Sequence, residues 1–175
     1  MTTQRFATLI ATLTFAGLAA AAGPHQHGVA QLDVGVEPGR VTLDLDTPLD
    51  NLLGFERAPR TDAERARAAA VVKQLQAADG LFRIDPAAGC TLAKATLKSA
   101  ALGLGADAAN AKGDHADLEG RFEFSCKAGN KAGFVEVGLF DAFAPLKRIE
   151  LQVVTPRGQL KAVLVRPASR VVLAR

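Results

Sequence analysis

The chain contains neither tryptophan nor tyrosine, so its nine phenylalanines are the only aromatic side chains among 175 residues. Proteins that bind single-stranded nucleic acid stack bases on aromatic side chains in a basic groove. Sulfur is scarce as well, because the chain has two cysteines and a single methionine, Met1. These shortages argue against nucleic-acid binding and against a soft-metal site for an ion such as Cu(I), which prefers sulfur ligands.

No charge sign dominates, since 21 Lys and Arg residues face 18 Asp and Glu residues, and 49% of the chain is hydrophobic. This balance excludes an intrinsically disordered protein, which combines low hydrophobicity with high net charge. Glycine and proline together number 24 without a repeating period, so a collagen-like chain is excluded too. We expect one domain over residues 23–175.

Long hydrophobic runs are absent except at the N-terminus, where Arg5 is the only charged residue before Gly23. Residues 6–22 are weakly apolar and end in Ala20-Ala21-Ala22, which offers the small-x-small pattern of a signal-peptidase site. A membrane-spanning helix needs about 20 strongly apolar residues, and no basic cluster follows the run. The pattern predicts a signal peptide over residues 1–22 and an exported protein with no transmembrane segment after its removal.

Export determines the interpretation of Cys90 and Cys126, the only cysteines. In an oxidising compartment an even number of cysteines indicates a disulfide. A redox or zinc site of the CxxC type does not fit, because neither residue has a cysteine neighbour. The sequence therefore predicts one structural disulfide.

The chain alternates between apolar and polar residues over several segments, which is typical of β-strands. Residues 28–36 and 41–46 flank a Pro-Gly turn and predict a hairpin. The segment 115–126 is the most regular strand, and further strands are expected at 81–84, 90–102, 147–155, 159–165 and 170–173. Residues 134–143 are expected to contain a short strand and a helical turn that Pro145 ends. Thr61 and Glu64 have capping-box spacing and begin one helix to about Ala78. The sequence thus predicts an α+β fold of mostly antiparallel sheet with one principal helix.

Basic residues are concentrated in the C-terminal strands, where seven of them accompany one acidic residue, Glu150. They are Lys147, Arg148, Arg157, Lys161, Arg166, Arg170 and Arg175. We interpret these residues as the solvated outer faces of strands, which attract the acidic remainder of the chain in the fold. The alternative is a metal-free envelope adaptor that holds an acidic partner.

The three histidines suggest a metal site. His25 and His27 flank Gln26 near the expected mature N-terminus, and His115 and Asp117 begin the most regular strand. In an extended chain, residues i and i+2 point the same way, so each pair supplies half of a tetrahedral Zn²⁺ site. A chain end that binds nothing and ordinary polar surface are the alternative interpretations. Asp114 and Glu119 are further nearby carboxylates.

No pattern marks a catalytic centre. The chain has no GxSxG, HExxH or P-loop motif, and Gly103-x-Gly105 lacks the strand-loop-helix context of a phosphate site. We therefore expect a protein that is not an enzyme.

Several blocks of sequence occur together in the order found in one protein family. They are HQHGVAQL (25–32), NLLGFERAP (51–59), AAGC (87–90), HADLE (115–119), FEFSC (122–126), LFDAF (139–143) and QVVTPRGQ (152–159). The chain resembles the ZrgA-type periplasmic zinc-binding proteins of Gram-negative bacteria. The resemblance implies a periplasmic protein that binds Zn²⁺ and assists its uptake alongside an ABC importer.

The resemblance also supports the four candidate ligands His25, His27, His115 and Asp117. Such proteins typically carry a long loop rich in His, Asp and Glu before the His-Ala-Asp block, whereas residues 102–114 contain no histidine. A single zinc site is therefore expected rather than a multi-ion buffer. Glu56 is interpreted as a hydrogen-bonding carboxylate that holds the irregular 47–60 segment and not as a ligand.

Overall fold

The computed structural model of this protein describes residues 26–105 and 116–173. Its nine strands, in chain order, are β1 (Val29–Glu37), β2 (Arg40–Pro48), β3 (Phe82–Ile84), β4 (Cys90–Lys98), β5 (Asp117–Cys126), β6 (Phe134–Val137), β7 (Arg148–Thr155), β8 (Gly158–Val165) and β9 (Arg170–Val172). They form a six-stranded sheet in the order β4-β5-β2-β1-β7-β8 and a three-stranded sheet in the order β3-β6-β9. The predicted α+β class is confirmed, and every pair is antiparallel except β1 with β7, which is parallel.

The predicted hairpin and the predicted strand over residues 115–126 are both confirmed, and they pair with each other. β1 and β2 form the hairpin, and the other edge of β2 pairs with β5. Along β5 the buried residues alternate with more exposed ones, as the sequence pattern predicts. Phe122 of β5 contacts Phe82 of the smaller sheet with ring centroids 5.0 Å apart, so the two sheets share one apolar core.

Three helices accompany the sheets: α1 (Asp50–Leu53), α2 (Asp62–Gln76) and α3 (Leu139–Ala142). The capping box of α2 is present as predicted, with reciprocal bonds between Thr61 and Glu64. The helix ends at Gln76, slightly earlier than expected, because Ala78–Gly80 turns into a 3₁₀ helix. Its residues Ala68, Val71 and Leu75 are buried against the core.

The carboxylate of Glu64 also fixes the segment before α2. It accepts two hydrogen bonds from Arg57, at 2.7 and 2.9 Å, and one from the backbone N–H of Arg60 at 2.6 Å. The hydrogen bond from Arg57, followed by that from Arg60, lowers the pKa of Glu64 from 4.5 to about 2. The folded chain therefore stabilises the ionised form of Glu64 relative to the protonated form.

Glu64→Gln is expected to lower the melting temperature by several degrees at pH 7. The stabilisation by ionised Glu64 is complete above pH 4.5 and is lost as the pH falls through about 2. The difference in melting temperature between wild type and Glu64→Gln should therefore shrink as the pH falls from 4.5 to about 2. Thermal unfolding followed by circular dichroism measures this difference. Glu37→Gln, which removes one exposed ion pair with Arg40, is the control. A gap of constant size across this range would contradict the assignment.

The predicted disulfide is confirmed: Cys90 and Cys126 are bonded and lie opposite each other where β4 meets β5. β4 is an edge strand with an irregularity between Leu92 and Lys94. The bond therefore ties the first residue of this edge strand to the end of β5. Among the described residues, no helix is long and apolar enough to cross a membrane.

Candidate metal centre

The start of β1 is fixed by the side chain of Asn51 in α1. Its Oδ1 accepts the backbone N–H of Gly28 at 2.6 Å, while its Nδ2 donates to the carbonyl of Val29 at 2.8 Å and to Oγ1 of Thr47 at 2.9 Å. Asn51 is completely buried. A buried amide with three hydrogen-bond partners has little freedom to move. Asn51 therefore holds the main chain at Gly28, and with it the preceding His27, against α1.

Gly28 is fixed from its other side by β7. Its carbonyl accepts the backbone N–H groups of Lys147 and Arg148 at 2.8 and 2.9 Å. Its φ of +82° lies in the left-handed region, and a Cβ atom would lie 3.4 Å from the Lys147 side chain. Glycine is therefore favoured at this position, and its peptide groups fix the main chain at His27 between two elements.

The imidazole of His27 lies between two carboxylates. Its Nε2 is 3.1 Å from Oε2 of Glu56, and its Nδ1 is 3.5 Å from Oδ2 of Asp50. The His27 side chain is 67% exposed, whereas those of Asp50 and Glu56 are 27% and 20% exposed. The ring is thus held by partly buried acids while its surface stays accessible to a solute ion.

Asp117 begins β5 at the same end of the larger sheet. It lies opposite Pro48, and the N–H of Leu49 donates to the carbonyl of Ala116 at 2.8 Å. β1 and β5 flank β2 and both run antiparallel to it, so their first residues share one sheet end. Strands two positions apart in a sheet are separated by about 9.5 Å. The main chain before β1 and the main chain before β5 therefore enter the sheet close to each other.

Two of the four predicted ligands, His25 and His115, lie outside the described residues, so the complete set is still a prediction. His27 and Asp117 are described, and the topology brings their chain positions to one sheet end. Within residues 26–105 and 116–173, no three His, Cys, Asp or Glu side chains are arranged so as to hold a metal ion.

An acidic groove of about 790 Å³ runs along the outer face of the larger sheet. Its charged lining residues are Asp33, Asp44, Asp46, Glu119, Glu123 and Glu150 against Lys94, Lys98 and Arg121. Asp33 and Asp44 lie directly opposite each other, and burial, followed by the charge of Asp44, raises the pKa of Asp33. The groove reaches Gln26 and Pro48, so its negative potential extends to the sheet end of His27 and favours cations there.

Two of the described basic residues in the C-terminal strands form ion pairs within the molecule, and a third binds main-chain carbonyls. Arg148 contacts Glu150 at 2.8 Å, and Arg170 pairs with Glu136 across neighbouring strands. Arg166 donates to three main-chain carbonyls around α3. This pairing supports the interpretation of solvated strand faces, while the alternative of an acidic partner stays a prediction.

Asp50 and Asn51 are the residues that sequence reasoning did not identify. Asn51 stands at the head of the NLLGFERAP block, directly before two buried leucines, and a polar residue in that position signals a buried hydrogen-bonding role. Glu56 is a hydrogen-bonding carboxylate, as the sequence predicts, but the hydrogen bond joins it to His27 and not to a residue of the 47–60 segment. No local pattern connects these residues to a histidine more than 20 positions earlier.

Residues 24–173 of the chain match a protein family whose description is "ZrgA family zinc uptake protein". This match includes both described ranges and the segment between them. No curated protein matches the chain. The comparison therefore associates nearly the whole chain expected after signal removal, including the sheet end with His27, with zinc uptake.

Proposed function

The chain belongs to the ZrgA family of zinc uptake proteins, and on this premise we propose that it binds Zn²⁺ in the periplasm and assists its import without catalysing a reaction. The observation that carries the proposal is the shared sheet end of His27 and Asp117. His27 precedes β1 and Asp117 begins β5, and these two strands flank β2. Each residue also belongs to one of the two ligand pairs that their spacing suggests. The matched family is not a known enzyme family.

Zinc is the cargo in this proposal, and the ligand set is His25, His27, His115 and Asp117. Three imidazoles and a carboxylate are ligands that Zn²⁺ accepts in tetrahedral sites. The anchoring of Gly28 by Asn51 and β7 supports the proposal, because it gives His27 a fixed starting point. The acidic groove supports it further by raising the local concentration of cations. An ABC zinc importer is the expected recipient.

His27→Ala is expected to weaken zinc binding about 100-fold or more, because loss of one of four ligands should cost at least as much as the 10–100-fold typical of losing an outer-shell partner. Isothermal titration calorimetry with ZnCl₂ on residues 23–175, without a histidine tag, measures this, and the wild-type protein should bind one ion per chain. Gln26→Ala, at the exposed neighbouring residue, is the matched control and should bind like wild type. Absence of zinc binding by the wild-type protein would refute the proposed function.

The periplasmic location rests on the signal peptide expected over residues 1–22 and is supported by the disulfide, which persists in oxidising compartments. Cell fractionation of a strain that expresses the full chain should place the protein in the periplasmic fraction, with an N-terminus near Gly23. A cytoplasmic, reduced protein would contradict this part of the proposal.

A further inference from the structure

The two carboxylates beside His27 are not explained by packing. Glu56 is followed by Arg57, yet that guanidinium is committed to Glu64 through two hydrogen bonds. Within the described part of the chain, the ion-pair partner of both Asp50 and Glu56 is the His27 ring. Two partly buried acids therefore converge on one exposed imidazole, which leaves this cluster acidic.

We propose that Glu56, in place of Asp117, supplies the carboxylate ligand of the zinc site together with His27, and that Asp50 is the positioning residue that holds the His27 ring. This inference rests on the proposed zinc-binding function and deepens it. It replaces the sequence-based interpretation of Glu56 as a brace for its own segment. Imidazole and carboxylate together supply two of the four ligands of a tetrahedral Zn²⁺ ion.

The separation of the two proposed ligand atoms already suits a shared ion. Two donors that each lie about 2.0–2.2 Å from an ion at a near-tetrahedral angle are about 3.3–3.5 Å apart. The distance from His27 Nε2 to Glu56 Oε2 is 3.1 Å. Exchanging the hydrogen bond between them for two coordination bonds therefore requires only a small movement of either side chain.

The geometry of the ring divides the roles of the two acids. Nε2 and Nδ1 point away from each other, so one ion bound at Nε2 is coordinated by Glu56 and not by Asp50. A zinc-bound histidine almost always donates its other ring N–H to a carboxylate, a backbone carbonyl or a water molecule, which fixes its tautomer and orientation. Asp50 faces Nδ1 at 3.5 Å and directly precedes the anchored Asn51, as this role requires.

Calorimetry on residues 23–175 tests the inference with three variants. Glu56→Gln keeps a hydrogen-bond acceptor for His27 but removes the anionic ligand, and we expect zinc affinity to fall about 100-fold or more. Asp50→Asn should reduce affinity about tenfold. Glu37→Gln, at an exposed glutamate at the far end of β1, should bind zinc like wild type. Unchanged metal-free melting temperatures verify that each variant is folded.

Nitrogen-15 NMR of the His27 ring supplies a second readout that needs no variant. In the zinc-loaded wild-type protein, Nε2 should take the shift of a metal-bound nitrogen while Nδ1 stays protonated. Zinc bound at Nδ1, or a larger affinity loss for Asp50→Asn than for Glu56→Gln, would overturn the assigned roles. Wild-type zinc binding with an unchanged Glu56→Gln isotherm would refute the inference alone, whereas no zinc binding at all would refute the proposed function.

Discussion

Asn51→Ala is expected to lower the free energy of unfolding by about 3 kcal/mol. The substitution removes three hydrogen bonds, to Gly28, Val29 and Thr47, from a completely buried site. Each such bond contributes about 1 kcal/mol net, and buried groups left without a partner add to the loss. Chemical denaturation followed by circular dichroism measures the change.

The same substitution should weaken zinc binding, because the main chain at His27 loses its anchor to α1. Asn130→Ala, at an exposed asparagine, is the control and should leave both stability and zinc affinity unchanged. If Asn51→Ala lost stability but bound zinc like wild type, the anchor would serve the fold alone. An unchanged stability would contradict the hydrogen-bond network itself.

Removal of the disulfide is expected to have the largest effect on stability. The bond between Cys90 and Cys126 closes a loop with a sequence separation of 36 residues. In the chain-entropy model, opening such a loop costs about 4 kcal/mol through the larger freedom of the unfolded chain. The edge position of β4 adds to the effect, since the strand pairs with β5 alone within the sheet.

A double Cys90→Ser and Cys126→Ser variant tests this expectation by urea denaturation. Its midpoint should fall well below that of the oxidised wild-type protein. The reduced wild-type protein, kept in a reductant, is the matched control and should unfold close to the variant. If reduction left the wild-type midpoint unchanged, the disulfide would make no contribution to stability.

The sequence by itself determined the local elements of this protein. Alternating polarity and the Pro-Gly turn predicted the β1–β2 hairpin, and the regular pattern of residues 115–126 predicted β5 with its buried face. The Thr61–Glu64 spacing predicted the start of α2. These signals are readable because they depend on residues within a few positions of each other. The disulfide followed from the number of cysteines and the expectation of export.

Only the tertiary structure decided which distant residues meet. The parallel pairing of β1 with β7, the clamp of Asn51 on Gly28, and the contact of His27 with Glu56 join positions 20 or more residues apart. No periodicity encodes such contacts, because they arise when α1 and β7 pack against the start of β1. A carboxylate in an irregular segment carries no local sign of its partner. The sequence therefore proposed His27 as a candidate ligand, whereas the fold supplied the two acids beside its ring.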